Sequence, residues 1–256
     1  MIQYQDVEGT KIAYWTRPFQ SSLRNLVFIH GSGADHTSWI HQYTQFKGEF
    51  NIVAVDLPGH GRSGGKGEKD INVYTEWVRK FLDVIGMKKP VLIGHSLGAA
   101  ICLTFAIKYG ADLSAIVPVG GGAKMPVNPL VFEGLKKDPT AVIALAAKFS
   151  LAKKHREQYS KLLVERLSNV SPKLLHGDFY ACDHFDLATK LSSLKLPTLI
   201  ICGEEDKMTP RALSEYLRDN VSGAQANFIE DAGHYVMMEN IEAFNTVLKK
   251  FLLSLH

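Results

Sequence analysis

Ser96, Asp206 and His234 stand in an order, and in local settings, that suit nucleophilic catalysis. A serine hydroxyl attacks poorly at neutral pH unless a base takes its proton, and an imidazole base works best with a carboxylate fixing its tautomer. Ser96 sits at the centre of Gly94-His95-Ser96-Leu97-Gly98, after the apolar run Pro90-Val91-Leu92-Ile93 and before the helix-like run Ala99 to Ala106. G-x-S-x-G between a strand and a helix forces its serine into a strained turn, and glycines at 94 and 98 relieve the crowding. A plain structural alternative is that Ser96 merely caps the helix. Asp206 follows the apolar run Pro197 to Gly203, in a loop that also holds Glu204 and Glu205. Position along the chain does not choose among these three acids. His234 follows the strand-like Ala226 to Ile229, in Asp231-Ala232-Gly233-His234, and beyond it only the terminal His256 remains.

A second apolar run, Leu26 to Ile29, leads into His30-Gly31-Ser32-Gly33. Glycines there let backbone approach a substrate oxygen, and the N–H groups of Ser32 and Leu97 are the expected donors to an oxyanion. The pocket candidates are Gly31, Gly33, Trp39, Phe149, Phe179, Met208 and Tyr235. Of the other histidines, His30 reads as a brace for the 31–33 turn, His60 as part of a Pro-Gly-His-Gly turn, and His95 as pointing away from the nucleophile. His176, Asp178, Cys182, Asp183, His184 and Asp186 are metal-ligand types, but they lack H-E-x-x-H or paired C-x-x-C spacing. Neither metal nor cofactor is called for.

Positioning such residues needs a scaffold, and the chain supplies one. Ile2 to Val7 and Lys11 to Thr16 read as an antiparallel hairpin around Glu8-Gly9-Thr10. Apolar strands at 26–29, 52–55, 91–93 and 115–119 then alternate with helical segments such as Thr75 to Ile85, the pattern of a parallel sheet covered on both faces. The alternation stops at Gly120-Gly121-Gly122 and resumes near Leu196-Pro197. Between them Asp138-Pro139 and Ser171-Pro172 open helices over 140–152 and after 171, with another over 155–167.

Taken together, His30-Gly31-Ser32-Gly33, Asp56-Leu57-Pro58-Gly59-His60-Gly61-Arg62-Ser63, Gly94 to Gly98, Gly203 to Asp206 and Gly233-His234 resemble the α/β-hydrolase superfamily over almost the whole chain. The resemblance implies an α/β fold with a mostly parallel eight-stranded sheet, helices on both faces and an inserted helical cap. It divides the chain into a core, residues 1–122 and 191–256, and a cap, residues 123–190. It also implies the triad Ser96, Asp206 and His234. The activity expected is that of a carboxylesterase-like serine hydrolase acting on a small-molecule ester. Carbon–carbon bond hydrolysis of meta-cleavage products, and a slow-turnover ligand receptor that keeps the triad, are the alternatives. Epoxide hydrolases and haloalkane dehalogenases are disfavoured because those relatives carry Asp where Ser96 stands.

Bulk properties fit. With 256 residues, 46% of them hydrophobic, the chain is long enough for a real core. A formal net charge of +3 without a basic stripe gives no reason to expect nucleic acid, and no run approaches a membrane span. Three cysteines without framework spacing and a start lacking a signal-peptide pattern point to the cytoplasm, as monomer or homodimer.

Overall fold

A computed structural model describes residues 1–255. Strands β1 (Ile2–Val7), β2 (Thr10–Thr16), β3 (Asn25–Ile29), β4 (Asn51–Val55), β5 (Val91–His95), β6 (Ala115–Val119), β7 (Leu199–Gly203) and β8 (Gln225–Ile229) form one eight-stranded sheet in the order β1-β2-β4-β3-β5-β6-β7-β8. β2 pairs antiparallel with β1 and β4, and every other pairing is parallel. β3 to β7 are apolar along nearly their whole length because both faces are covered. Successive residues serve opposite faces, as a pleat requires. Val27, Ile29, Val53, Leu92 and Ile116 join one core cluster, whereas Leu26, Phe28, Ile52, Ile93 and Val117 join the other.

The first face is covered by helices α2 (Ile71–Val84), α3 (Leu97–Tyr109) and α8 (Arg211–Asn220), the second by α1 (Ile40–Phe46), α9 (Val236–Glu239) and α10 (Ile241–Ser254). Asp70 caps α2 by accepting the Asn72 N–H, so this helix starts four residues before its apolar periodicity suggests. α3 is buried all round from Leu97 to Ala106, packed against the sheet with α2 and α7 beside it. Among the described residues, no helix is long and apolar enough to cross a membrane.

Between β6 and β7 lies a helical insertion holding α4 (Pro129–Lys137), α5 (Pro139–Ser150), α6 (Arg156–Ser168) and α7 (Pro172–Asp183). Asn128, Asp138 and Ser171 cap α4, α5 and α7, each followed by a first-turn proline. α4 has no counterpart in the sequence reading, although Asn128-Pro129 repeats the same signal. An antiparallel bridge between Lys124 and Asp186, with an ion pair of 2.8 Å, closes the insertion's base. α4 to α6 pack partly around clusters of their own, centred on Leu135, Ile143, Leu163 and Leu167. α7 differs: Ala181 and Cys182 belong to the main core beside α3.

Candidate active site

β5 ends at His95 and α3 begins at Leu97, so Ser96 is the single hinge residue between them, at φ 53° and ψ −111°. A non-glycine residue there is strained and persists only where its surroundings hold it. They do. The Ser96 N–H donates to the Val119 carbonyl at 2.9 Å. A side chain at Gly94 would strike the Gly98 carbonyl, and one at Gly98 would strike the Ile29 carbonyl, so strand and helix meet only because both are glycine. The Ser96 side chain makes no capping hydrogen bond to α3. Helix capping therefore does not explain this serine.

Asp206 lies in the loop after β7. Its Oδ1 accepts the Met208 and Thr209 N–H groups, each at 2.9 Å, and its Oδ2 accepts the Thr209 hydroxyl at 2.8 Å and His234 Nδ1 at 2.9 Å. Burial alone would raise this acid, but the His234 imidazole and the Thr209 donors outweigh it and hold its carboxyl below the usual range. Glu204 instead turns outward to Arg211 at 3.5 Å, and Glu205 accepts the Lys153 N–H at 3.2 Å. Geometry thus separates three acids that sequence position left equivalent.

A carboxylate only accepts, so His234 carries its proton on Nδ1 and leaves Nε2 with a free lone pair. The ring sits in a fixed frame. The backbone N–H of His234 donates to the Ser150 carbonyl at 2.7 Å, and its backbone carbonyl accepts His95 Nε2 at 2.9 Å. A Cβ on Gly120, which has φ 54°, would stand 3.2 Å from His234 Nδ1 and 3.3 Å from Asp206 Oδ2, so only glycine leaves room for the pair. Gly120 directly follows the Val119 that holds the Ser96 N–H, so the serine turn and the His234–Asp206 pair share one edge of the sheet.

His95 packs its buried ring 4.5 Å from that of His234, a contact the sequence reading did not foresee, and burial with that neighbour pushes it well below the ordinary imidazole value. Glu239 is buried under the same loop, its Oε1 accepting the Gly233 N–H at 3.0 Å and its Oε2 the Ala152 N–H at 2.7 Å. Burial pushes its carboxyl up to about 7.

The turn after β3 comes equally close. A Cβ at Gly31 would lie 3.2 Å from Ser96 Cβ. His30 Nε2 accepts the Leu57 N–H at 3.0 Å, so its protonated Nδ1 donates to the Gly31 carbonyl at 2.8 Å. Burial drives His30 down to about 4, fixing a neutral brace under the turn. Among the described residues, the N–H groups of Ser32 and Leu97 have no protein acceptor, whereas Gly33 donates to Asp178 Oδ2 at 2.9 Å.

A cavity of about 520 Å³ opens between this turn, the 59–66 loop and helices α6 and α7. Gly33 and Tyr235 line it with Leu163, Arg166 and Lys173, but Ser96, Asp206 and His234 do not. The other pocket candidates lie elsewhere. Trp39 is fully buried in the core, its ring 5.1 Å from Phe28 and 6.1 Å from Phe244, at the end of a 3-10 turn (His36–Trp39) packed against β3 and β4. Phe179 packs within the insertion's own cluster, and Phe149 is 46% exposed on α5. Met208 is partly exposed beside Asp206.

The metal-ligand types of the insertion disperse to separate partners: Asp183 takes the Val127 N–H, Asp186 pairs with Lys124, His184 stacks on Tyr180 and Cys182 enters the core. Asp35, His36 and Asp56 do converge. Their atoms are already engaged, since Asp56 accepts from His36 N, His36 Nδ1 and the Arg62 N–H while Asp35 accepts from Thr37.

Residues 26–247 match the family described as Alpha/beta hydrolase family. The chain belongs to this family. Among curated α/β hydrolases it is 25% identical to the 2-hydroxy-6-oxononadienedioate/2-hydroxy-6-oxononatrienedioate hydrolase of Paraburkholderia phymatum, over 95% of this chain and 92% of that protein. A solved thermophilic esterase is 31% identical, with a TM-score of 0.84 over 100% of this chain and 98% of its own. The enol-lactonase of Burkholderia xenovorans LB400 shares the fold at a TM-score of 0.91, covering 98% and 100% of the two chains at 20% identity.

Proposed function

We propose that this α/β hydrolase is a serine hydrolase of small carboxylic esters, with Ser96, His234 and Asp206 as its triad. The observation that carries this reading is the buried 2.9 Å contact of Asp206 with His234 Nδ1, which leaves Nε2 basic at the sheet edge where Ser96 sits in its strained turn. In the proposed reaction His234 Nε2 takes the Ser96 proton as Oγ bonds to the ester carbonyl carbon. The carbonyl oxygen becomes an oxyanion, received by the Ser32 and Leu97 N–H groups. Collapse breaks the ester C–O bond, and the departing alkoxide takes the proton from His234. Water then attacks the acyl-enzyme, gives a proton to His234 and releases the acid, and the proton returns to Ser96. The helical insertion serves as the cap over this site.

p-Nitrophenyl esters of graded acyl length test the reading, with Ser96→Ala as control. A loss on the order of 10³-fold or more is expected, and equal rates overturn the proposal. A second reading is hydrolysis of a carbon–carbon bond in an acid-bearing diketone. It is favoured by Lys66, Arg166 and Lys173 around the cavity, against a single acid, Asp35. The relative from Paraburkholderia phymatum is named for dioic substrates of that type. A panel of neutral esters against diketo acids separates the two.

A further inference from the structure

Asp178 is, like Asp56, a fully buried acid outside the Ser96–His234–Asp206 group that accepts three hydrogen bonds. It projects from α7. Three donors from three separate parts of the core meet its carboxylate: Tyr74 Oη of α2 at 2.7 Å, His60 Nε2 of the loop after β4 at 2.9 Å, and the Gly33 N–H of the turn after β3 at 2.9 Å. Tyr74 Oη accepts the Glu68 N–H, which leaves its own proton for Asp178. His60 Nδ1 faces the Pro58 carbonyl at 3.1 Å, and that oxygen can only accept. Both ring nitrogens of His60 therefore donate, and the ring is a buried imidazolium paired with a carboxylate. Removing one partner from such a pair leaves an uncompensated buried charge.

The contact that matters for chemistry is the one to Gly33. Gly33 has φ 63°, and a side chain there would run into Leu175 of α7, so the helix presses directly on this turn. Its N–H is spent on Asp178, while the N–H one residue earlier, at Ser32, has no protein acceptor among the described residues. Fixing the 32–33 peptide by a charge-assisted hydrogen bond fixes the direction of its neighbour.

We propose that Asp178 is a positioning residue for the oxyanion site, holding Gly33 from the helical insertion so that the Ser32 N–H is aimed at the developing oxyanion. This rests on the serine-hydrolase reading above. Docking of α7 and completion of the oxyanion site are then one event. Misdirection of such a donor affects the transition state more than substrate binding.

The test compares wild type, Ser96→Ala, Asp178→Asn and Tyr74→Phe on a p-nitrophenyl ester and on an aryl boronate that forms a tetrahedral adduct with serine. Asp178→Asn is expected to lower kcat on the order of 10- to 100-fold with KM within about threefold, and to weaken the boronate by a similar factor. Tyr74→Phe removes a donor but leaves Gly33 tied, and keeps kcat within about threefold of wild type. Loss of kcat in both variants in proportion to their fall in melting temperature overturns the proposal, as does normal kcat in Asp178→Asn. Amide exchange on the wild type gives an answer independent of folding in the variants: a strongly protected Gly33 amide is expected, and a freely exchanging one overturns the inference. If wild type and Ser96→Ala turn over alike, it is the hydrolase reading that fails instead.

Discussion

Glu239 shows how far a single side chain reaches into the candidate site without a hydrogen bond to the side chains of Ser96, Asp206 or His234. Its two oxygens tie Gly233, next to His234, to Ala152 at the end of α5. Desolvation outweighs these donors and pushes its carboxyl up to about 7, above its unfolded value near 4.5. A raised acid contributes stability that is fully present below the unfolded value and is lost as pH rises through the folded one. Glu239→Gln has no such titration. The stability of wild type relative to the variant should therefore shift in the variant's favour between pH 5 and 8, by up to about 1.4 kcal/mol per pH unit, read from melting curves at each pH. Parallel melting curves across that range would refute the raised acid. Little of this was legible in the chain. Ser96 and His234 stand out through flanking glycines and order, whereas in the sequence only resemblance to the family pattern after Gly203 favours Asp206 over Glu204 and Glu205, and its contact with His234 sets it apart. Asp178 meets Gly33 across 145 residues of sequence, a pairing no local pattern can reveal.

Elements were more readable than residues because their signals are local. Five apolar strands, four of them buried at every position, and the prolines that open α5 and α7 declare themselves, while α4 repeats the same signal in a shorter helix. Trp39 suits a pocket as well as a core, being an aromatic near the 31–33 turn, and only its packing against Phe28 and Phe244 decides for the core. The turn that holds Ser96 makes the firmest demand at this scale. α3 crosses β3 and β5 so closely that Gly98 faces the Ile29 carbonyl. The added methyl of Gly98→Ala meets backbone rather than a flexible side chain, which costs about 1–3 kcal/mol. A fall in melting temperature of roughly 3–10 °C is expected, and an unchanged one would show that the elbow is looser than described.

At the scale of the molecule, two buried neutral histidines set the response to acid. Burial lowers His30 to about 4 and takes His95 well below the ordinary value of 6.5. A lowered histidine contributes stability that is present above its unfolded value and lost as pH falls below it. Between pH 6.5 and 4.5 the chain thus takes up two protons there on unfolding, opposed by one released from Glu239. His60 is raised and contributes fully throughout this window. Stability should fall by up to about 1.4 kcal/mol per pH unit in wild type, and about twice as steeply in Glu239→Gln. Calorimetry over this range checks both slopes, and a flat wild-type profile would contradict the neutral assignment of His30 and His95.

The helical insertion grips the site at two points: Ser150 and Ala152 hold the His234 loop, and Asp178 holds the turn before Gly33. Loop-length drift is consequently safe only between these anchors. Residues can be added or deleted around α4, or where α6 hands over to α7, with these contacts preserved. A single insertion between Ser150 and Ala152 would pull one anchor out of register, so the insertion's freedom to change length is confined to the spans that hang between its fixed posts.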